Sequence, residues 1–280
     1  MQFSTSKGIF LVGCARSGTT LLQSLLAAHP KIISFPESKF FTYLVPESGS
    51  KRLALGISSK RLTPMLKKFL SEIEHPELIE LLPKTPLFMG RYTNIFTRIL
   101  NKIAESQDKD MWLEKTPEHL EYIKYIERFI PEAKIIHIIR NGQDVVSSLY
   151  SLAKNHPQYW LDEHRFNDID SCIDWWIKAI SISQRYLDRP NHFFVQYEEL
   201  VSDTPKILAE LCQFLKIEFC QEMMENYSDN AEELIRGREI WKTNINREIK
   251  STNSQKFYRL FNAEQQQYIL SRISEISLKP

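Results

Sequence analysis

Apolar positions along this chain fall into short unbroken runs separated by longer amphipathic stretches. The first run, Gly8-Ile9-Phe10-Leu11-Val12-Gly13, is apolar throughout and bounded by glycines. Such a run suits a strand covered on both faces, as in a parallel sheet, whereas a half-exposed strand would alternate. Ile32 to Phe35, Met111 to Leu113, Ile135 to Ile139 and Phe193 to Val195 read as further strands. Between them the repeat lengthens to that of a helix. Thr20 to Ala28 carries Leu21, Leu22, Leu25 and Leu26 on one side. Further helices are predicted over Pro117–Phe129, Asp144–Leu152, Ile169–Leu187, Pro205–Leu215 and Ala263–Ile276. Proline suits the opening turn of the 205–215 helix, where its missing N–H has no partner to lose.

Strands alternating with helices predict an α/β fold, a three-layer α/β/α arrangement around a central parallel sheet. From Phe40 to Asp110 the alternation lapses. Pro46, Pro64, Pro76, Pro83 and Pro86 cut this stretch into amphipathic pieces such as Leu66–Ile73. A mostly helical insertion at about 40–110 is expected, placed to shape a substrate site. No linker, charge block, internal repeat or low-complexity tract interrupts the chain, so residues 1–280 read as a single domain. That length buries a full core without help from disulfides or metal.

Composition narrows the classes of partner. The net charge is +1, so no global field draws in nucleic acid or a membrane surface. An anionic ligand must then be held by a local cluster of cations. Cys14, Cys172, Cys212 and Cys220 lack metal-ligand spacing and are too few for a disulfide framework, which predicts reduced thiols. No apolar run reaches the roughly 18 residues of a membrane span. The polar Met1–Lys7 lacks the core of a signal peptide, and a cytoplasmic location is expected.

The chemistry begins at Gly13-Cys14-Ala15-Arg16-Ser17-Gly18-Thr19-Thr20, set between a buried strand and a helix. Glycines let backbone N–H groups turn inward, and the helix N-terminus adds partial positive charge, which together make an anion cradle. Its context is P-loop NTPase-like. The Lys-Ser/Thr pair of a nucleotide triphosphatase is replaced by Thr19-Thr20, and the cation has moved into the loop as Arg16. Such enzymes also place an acidic Mg²⁺ partner at a neighbouring strand end. Here the strand ends in Arg140, which argues for a further phosphate and against a metal.

These residues resemble the sulfotransferases that use 3′-phosphoadenosine 5′-phosphosulfate (PAPS). Arg16, Ser17, Gly18, Thr19 and Thr20 match their 5′-phosphosulfate loop. Arg140 and Ser148, in Ile-Ile-Arg-Asn-Gly-Gln-Asp-Val-Val-Ser-Ser, match their 3′-phosphate site. Tyr197, in Phe-Val-Gln-Tyr-Glu-Glu-Leu, matches a nucleotide-contacting tyrosine. The matched segments are scattered from residue 8 to about residue 216.

The resemblance implies transfer of a sulfuryl group from PAPS to an acceptor hydroxyl on a glycan, lipid, metabolite or peptide, leaving PAP. His29-Pro30 followed by Glu37 is similar to the tyrosylprotein and carbohydrate branch, where the glutamate serves as catalytic base. Glu114-Lys115-Thr116-Pro117 resembles the motif supplying a sulfate-contacting lysine, Lys115. Pro117 stands where the aryl and steroid branch has its histidine base, which leaves Glu37 as base and His119 as a second candidate. Lys256 resembles a late lysine near the nucleotide, and Arg236-Gly237-Arg238-Glu239-Ile240-Trp241-Lys242 a loop that covers it.

Plainer readings stand beside these. Glu37 also suits a helix first turn, Lys115 a solvated strand end, and the C-terminal cations an exposed basic tail. His119 and His137 suit surface and packing roles, and Trp160, Trp175 and Trp176 core or lid positions. A P-loop kinase and a catalytically inactive nucleotide-binding protein are the alternative functions. The acceptor and the oligomeric state have no signature in the sequence.

Overall fold

The computed structural model describes residues 7–85, 87–155, 166, 168–228, 255–274 and 276. Five strands form one sheet: β1 (Lys7–Gly13), β2 (Ile32–Ser34), β3 (Met111–Lys115), β4 (Lys134–Ile139) and β5 (His192–Gln196). Their order is β2-β3-β1-β4-β5, and every pairing is parallel. The unbroken apolar runs follow from this, because side chains alternate across a strand and both faces here are covered. In β1, Ile9 and Leu11 pack with Leu22, Leu25 and Leu26 of helix α1 (Thr19–Ala27) on one face. Phe10 and Val12 enter the core on the other. The central sheet flanked by helices is the three-layer arrangement that the alternation predicts.

Between β2 and β3 run α2 (Phe40–Leu44), α3 (Lys51–Ala54), α4 (Leu62–Glu72) and α5 (Met89–Ser106). Phe40 and Phe96 stack at 4.0 Å between ring centres and tie α2 to α5. The helix expected over 117–129 is divided. Pro117–Tyr122 forms a 3₁₀ turn, opened by a bond from the His119 N–H to the Thr116 carbonyl at 2.9 Å, before α6 (Ile123–Phe129) begins. Helices α7 (Gly142–Asn155) and α8 (Ile169–Gln184) cover the sheet face that carries Phe10. A reciprocal cap between Asp168 and Ser171 starts α8.

Beyond β5 the chain turns directly into a pair of consecutive helices. The single-turn α9 (Tyr197–Ser202) is too short to show a period in sequence. In α10 (Thr204–Leu215), Pro205 lies in the first turn and Asp203 caps the Lys206 N–H at 3.3 Å. The short helix Gln255–Leu260 packs on α7, with Phe257 fully buried. Among the described residues no helix is long and apolar enough to cross a membrane.

Candidate active site

The loop after β1 leaves the carboxyl end of the central strand and turns directly into α1. The Ser17 N–H closes a turn on the Cys14 carbonyl at 3.2 Å. Arg16 and Gly18 both have left-handed backbones, φ 73° and 94°. Alternation of this kind makes a concave row of N–H groups. Glycine is required at position 18 twice over: the φ is unfavourable for other residues, and a Cβ would lie 2.3 Å from the Tyr197 ring. At Gly13 a Cβ would meet the Ile138 carbonyl oxygen at 2.5 Å, because β4 passes close against the strand end.

Four side chains from distant parts of the sequence meet at this loop. Arg16 Nε donates to Ser148 Oγ on α7 at 3.1 Å. Arg140, just beyond β4, donates from Nη1 to the Arg16 carbonyl at 3.4 Å and pairs through Nη2 with Asp144 at 3.2 Å. Its guanidinium lies 4.2 Å from the centre of the Tyr197 ring, within cation–π range. Trp176 Nε1 holds the Arg140 carbonyl at 3.0 Å, a positioning role for a residue read as core or lid. Lys256, on the helix Gln255–Leu260, lies near enough that burial and then the charges of Arg16 and Arg140 hold its ammonium below the ordinary lysine value. The two phosphate sites read separately in the sequence thus form one connected cluster.

Two polar atoms in this cluster, Ser17 Oγ and Arg140 Nε, are buried without a hydrogen-bond partner among the described residues. Burying an unsatisfied donor costs roughly 1–3 kcal/mol, so a site that keeps two is built for an acceptor group to arrive. An oxyanion meets that need, and the residues present fit a nucleotide carrying more than one phosphate. Burial, then Cys172 and Glu118, hold Cys14 far above the usual thiol range.

A second group lies at the ends of β2 and β3. Lys115 Nζ donates to Glu37 Oε1 at 2.6 Å, with Lys115 3% and Glu37 19% exposed. Lys115 is therefore not a solvated strand end. Nor does Glu37 stand in a helix first turn, since α2 begins at Phe40 and its first turn holds no acidic residue. His119 is buried rather than on the surface. Its Nε2 accepts the Phe41 N–H at 3.1 Å, and its Nδ1 lies 2.8 Å from Glu114 Oε2, off the best hydrogen-bond line. His137 is a packing residue, bonded to Ser183 and His192 inside the core.

Over Glu37 opens a cleft of about 640 Å³. Lys39, Lys60, Arg61 and Lys68 line it beside Met65 and Phe69 of α4. Behind the loop, Glu118 lines a cavity of about 20 Å³ with Cys14, Ala15 and Trp175, room for about one water. Burial and then the charge of Glu37 raise the Glu118 carboxyl above the ordinary value. Sequence reasoning passed over both Glu114 and Glu118. Their only signal was adjacency to Lys115 and Pro117, and neither residue type is unusual at a strand end.

Among the described residues no three His, Cys, Asp or Glu side chains group as metal ligands would. Arg236–Lys242 and Trp160 lie outside the described residues.

Comparison with known proteins adds a separate line. Residues 8–222 match the model described as the sulfotransferase family. Protein-tyrosine sulfotransferase 1 of Danio rerio is 24% identical over 220 residues, covering 75% of this chain and 53% of that protein. The chain spans between 27% and 57% of the length of these curated relatives. Among solved structures, the sulfotransferase domain of the Synechococcus PCC 7002 olefin synthase aligns with a TM-score of 0.60 at 19% identity, covering 100% of this chain and 98% of that one. A mouse sulfotransferase solved with PAP aligns at 0.55 and 14% identity, covering 96% and 84%. At these identities the structural likeness concerns the fold.

Proposed function

The chain belongs to the sulfotransferase family, and we propose that it transfers the sulfuryl group of PAPS to an acceptor hydroxyl with Glu37 as general base. The observation that carries this reading is the joined cluster of Arg16, Arg140, Ser148 and Lys256 around a glycine-built loop, with two buried donors awaiting an acceptor. One group of cations serves two separate phosphates, as PAPS requires and a simple nucleoside monophosphate does not. The PAP bound in the mouse relative of the same fold supports the choice of nucleotide.

The reaction needs three things from the protein. Glu37 takes the proton of the attacking hydroxyl as the new O–S bond forms. The bond between sulfur and the bridging phosphate oxygen breaks, PAP leaves, and Lys115 and Arg16 offset the charge that gathers on the departing oxygens. The loop N–H groups with Thr19 and Thr20 keep the leaving phosphate in line. Fixed protein cations supply the electrostatic part, so the reaction is proposed to need no metal. His119 is not the base in this reading, since both ring nitrogens face protein partners.

The acceptor enters through the cleft over Glu37. Four cations against Glu72, the lining carboxylate besides Glu37, make an acceptor with a negative charge and an apolar body the better fit. A phenol is one such hydroxyl, in keeping with the names of the curated relatives.

The test is transfer from ³⁵S-labelled PAPS to 4-hydroxyphenylacetate, its neutral amide and tyramine, beside a set of glycan, lipid and peptide hydroxyls. Labelled product is expected, formed fastest with the acid among the three matched phenols. Glu37→Gln should slow transfer by about 10²–10⁴-fold. No labelled product with any acceptor, despite tight PAP binding, would show a nucleotide-binding protein without transferase activity.

A further inference from the structure

Glu114, on β3, is fully buried. Its Oε1 accepts from Ser38 Oγ at 2.6 Å, from the Ser38 N–H at 3.2 Å and from Thr116 Oγ1 at 2.7 Å. The chain of bonds continues outward. Thr116 Oγ1 accepts the Lys39 N–H at 3.1 Å, and Ser38 Oγ accepts the Phe40 N–H at 3.1 Å. His119, whose Nδ1 lies 2.8 Å from Glu114 Oε2, accepts the Phe41 N–H at 3.1 Å. Every backbone N–H from Ser38 to Phe41 therefore ends on Glu114 or on a group touching it. Burial works against the Glu114 charge, yet the His119 ring and the Ser38 and Thr116 hydroxyls outweigh it and hold the carboxyl below its ordinary value.

The segment so held is the turn that presents Glu37. Lys39 within it has a left-handed backbone, φ 51°. A residue other than glycine keeps that conformation only when its surroundings fix it. The other partner of the ion pair, Lys115, follows Glu114 along β3 and points to Glu37 at 2.6 Å. Both halves of the pair thus hang from immediate neighbours of one buried carboxylate network.

We infer that Glu114 is a positioning residue for sulfuryl transfer, fixing the turn that carries Glu37 against Lys115 at the carboxyl edge of the sheet. It touches neither substrate nor base directly, and it acts through Ser38, Thr116 and His119. The inference rests on the reading of Glu37 as general base. The phosphate cluster is held by other elements, namely α7, α9 and the helix Gln255–Leu260, so nucleotide binding does not depend on this network.

Three variants of the full chain separate the possibilities: Glu114→Gln, Ser38→Ala and Glu37→Gln. Each is measured for PAP affinity by calorimetry, for melting temperature, and for kcat and KM with PAPS using 4-hydroxyphenylacetate as acceptor. Misplacing a catalytic group by about an ångström costs on the order of 10²-fold in rate. Glu114→Gln and Ser38→Ala are therefore expected to lose about tenfold or more in kcat, with KM for PAPS and PAP affinity within about twofold of wild type. Should Glu114→Gln fail to fold, the milder Ser38→Ala decides. An unchanged kcat in a folded variant overturns the inference. So does a parallel fall of kcat, PAP affinity and melting temperature, the mark of a residue that only supports the fold. A Glu37→Gln protein that transfers like wild type overturns the base assignment on its own arm, and the positioning role falls with it.

Discussion

At the scale of single residues, the site depends on side chains that the fold has bonded to one another before any ligand arrives. Arg140 is the clearest case. It contacts the Arg16 carbonyl, Asp144 and the face of Tyr197, so its guanidinium is oriented in advance. Its Nε remains buried and without a partner among the described residues. A second phosphate would gain a charge-assisted bond there without the entropy of ordering a long side chain. PAP is accordingly expected to bind more tightly than 5′-AMP by about 1.5–3 kcal/mol. Arg140→Ala should remove most of that difference and leave the 5′-AMP affinity nearly unchanged. Titration calorimetry with both nucleotides checks this, and equal affinities in the wild type would show that the cluster does not recognise a 3′-phosphate.

At the scale of elements, the contact between β4 and β5 carries a titratable pair that takes no part in the proposed chemistry. His137 on β4 bonds to His192 on β5 at 2.9 Å and to Ser183 on α8 at 3.1 Å. Glu127 of α6 lies 3.4 Å from His192, Tyr186 stacks on it, and Arg189 adds a nearby positive charge. Burial, then His192, holds His137 well below its ordinary value. Burial also lowers His192, although Glu127 opposes the shift. Both rings are thus neutral in the fold and bind protons more readily once unfolded. The stability they contribute is present above the unfolded value near 6.5 and is lost as pH falls below it, by up to about 1.4 kcal/mol per pH unit for each ring. Urea unfolding at pH 7.5 and pH 5.0 should show this loss. The stability that the Glu114 carboxylate contributes is present throughout this range and is lost only as pH falls below its unfolded value of about 4.5. A flat profile between pH 7 and 5 would mean that the pair does not resist protonation in the folded state.

At the scale of the whole molecule, a net charge of +1 leaves recognition of any anionic ligand, such as the proposed nucleotide, to local charge. Parallel strands make that possible by bringing the loop after β1, Arg140 after β4, Tyr197 after β5 and Lys115 at the end of β3 to one edge of the sheet. Ligands of open α/β sheets gather at this carboxyl edge. Because arginine and lysine side chains supply the positive charge, transfer is expected to persist in excess EDTA at an undiminished rate. Activity abolished by chelation and restored by Mg²⁺ would place a metal in the reaction and favour a phosphotransferase-like mechanism.

Local pattern alone determined the strands and the glycine-built anion loop, whereas the class of chemistry came from the resemblance of Arg16–Thr20, Arg140 and Ser148 to the sulfotransferases. A strand buried on both faces must be apolar at every position, and a phosphate loop must place glycine where the backbone turns left-handed or another chain segment comes close. Gly13 and Gly18 meet those demands, so their meaning was legible without coordinates. The split of residues 117–129 into a 3₁₀ turn and a helix was not legible, because it follows from where the Thr116 carbonyl and His119 lie. Nor was the tie between the two proposed phosphate sites, since Arg16 and Ser148 are 132 residues apart and no local period encodes their bond. Only the tertiary structure made Lys115 the partner of Glu37, buried His119 between the Phe41 N–H and Glu114, and set Glu114 beneath the turn that carries Glu37. Local sequence governs dihedral preference and burial period, whereas contacts between chain-distant polar groups depend on which strands become neighbours, and that choice is made by the packing of the whole sheet.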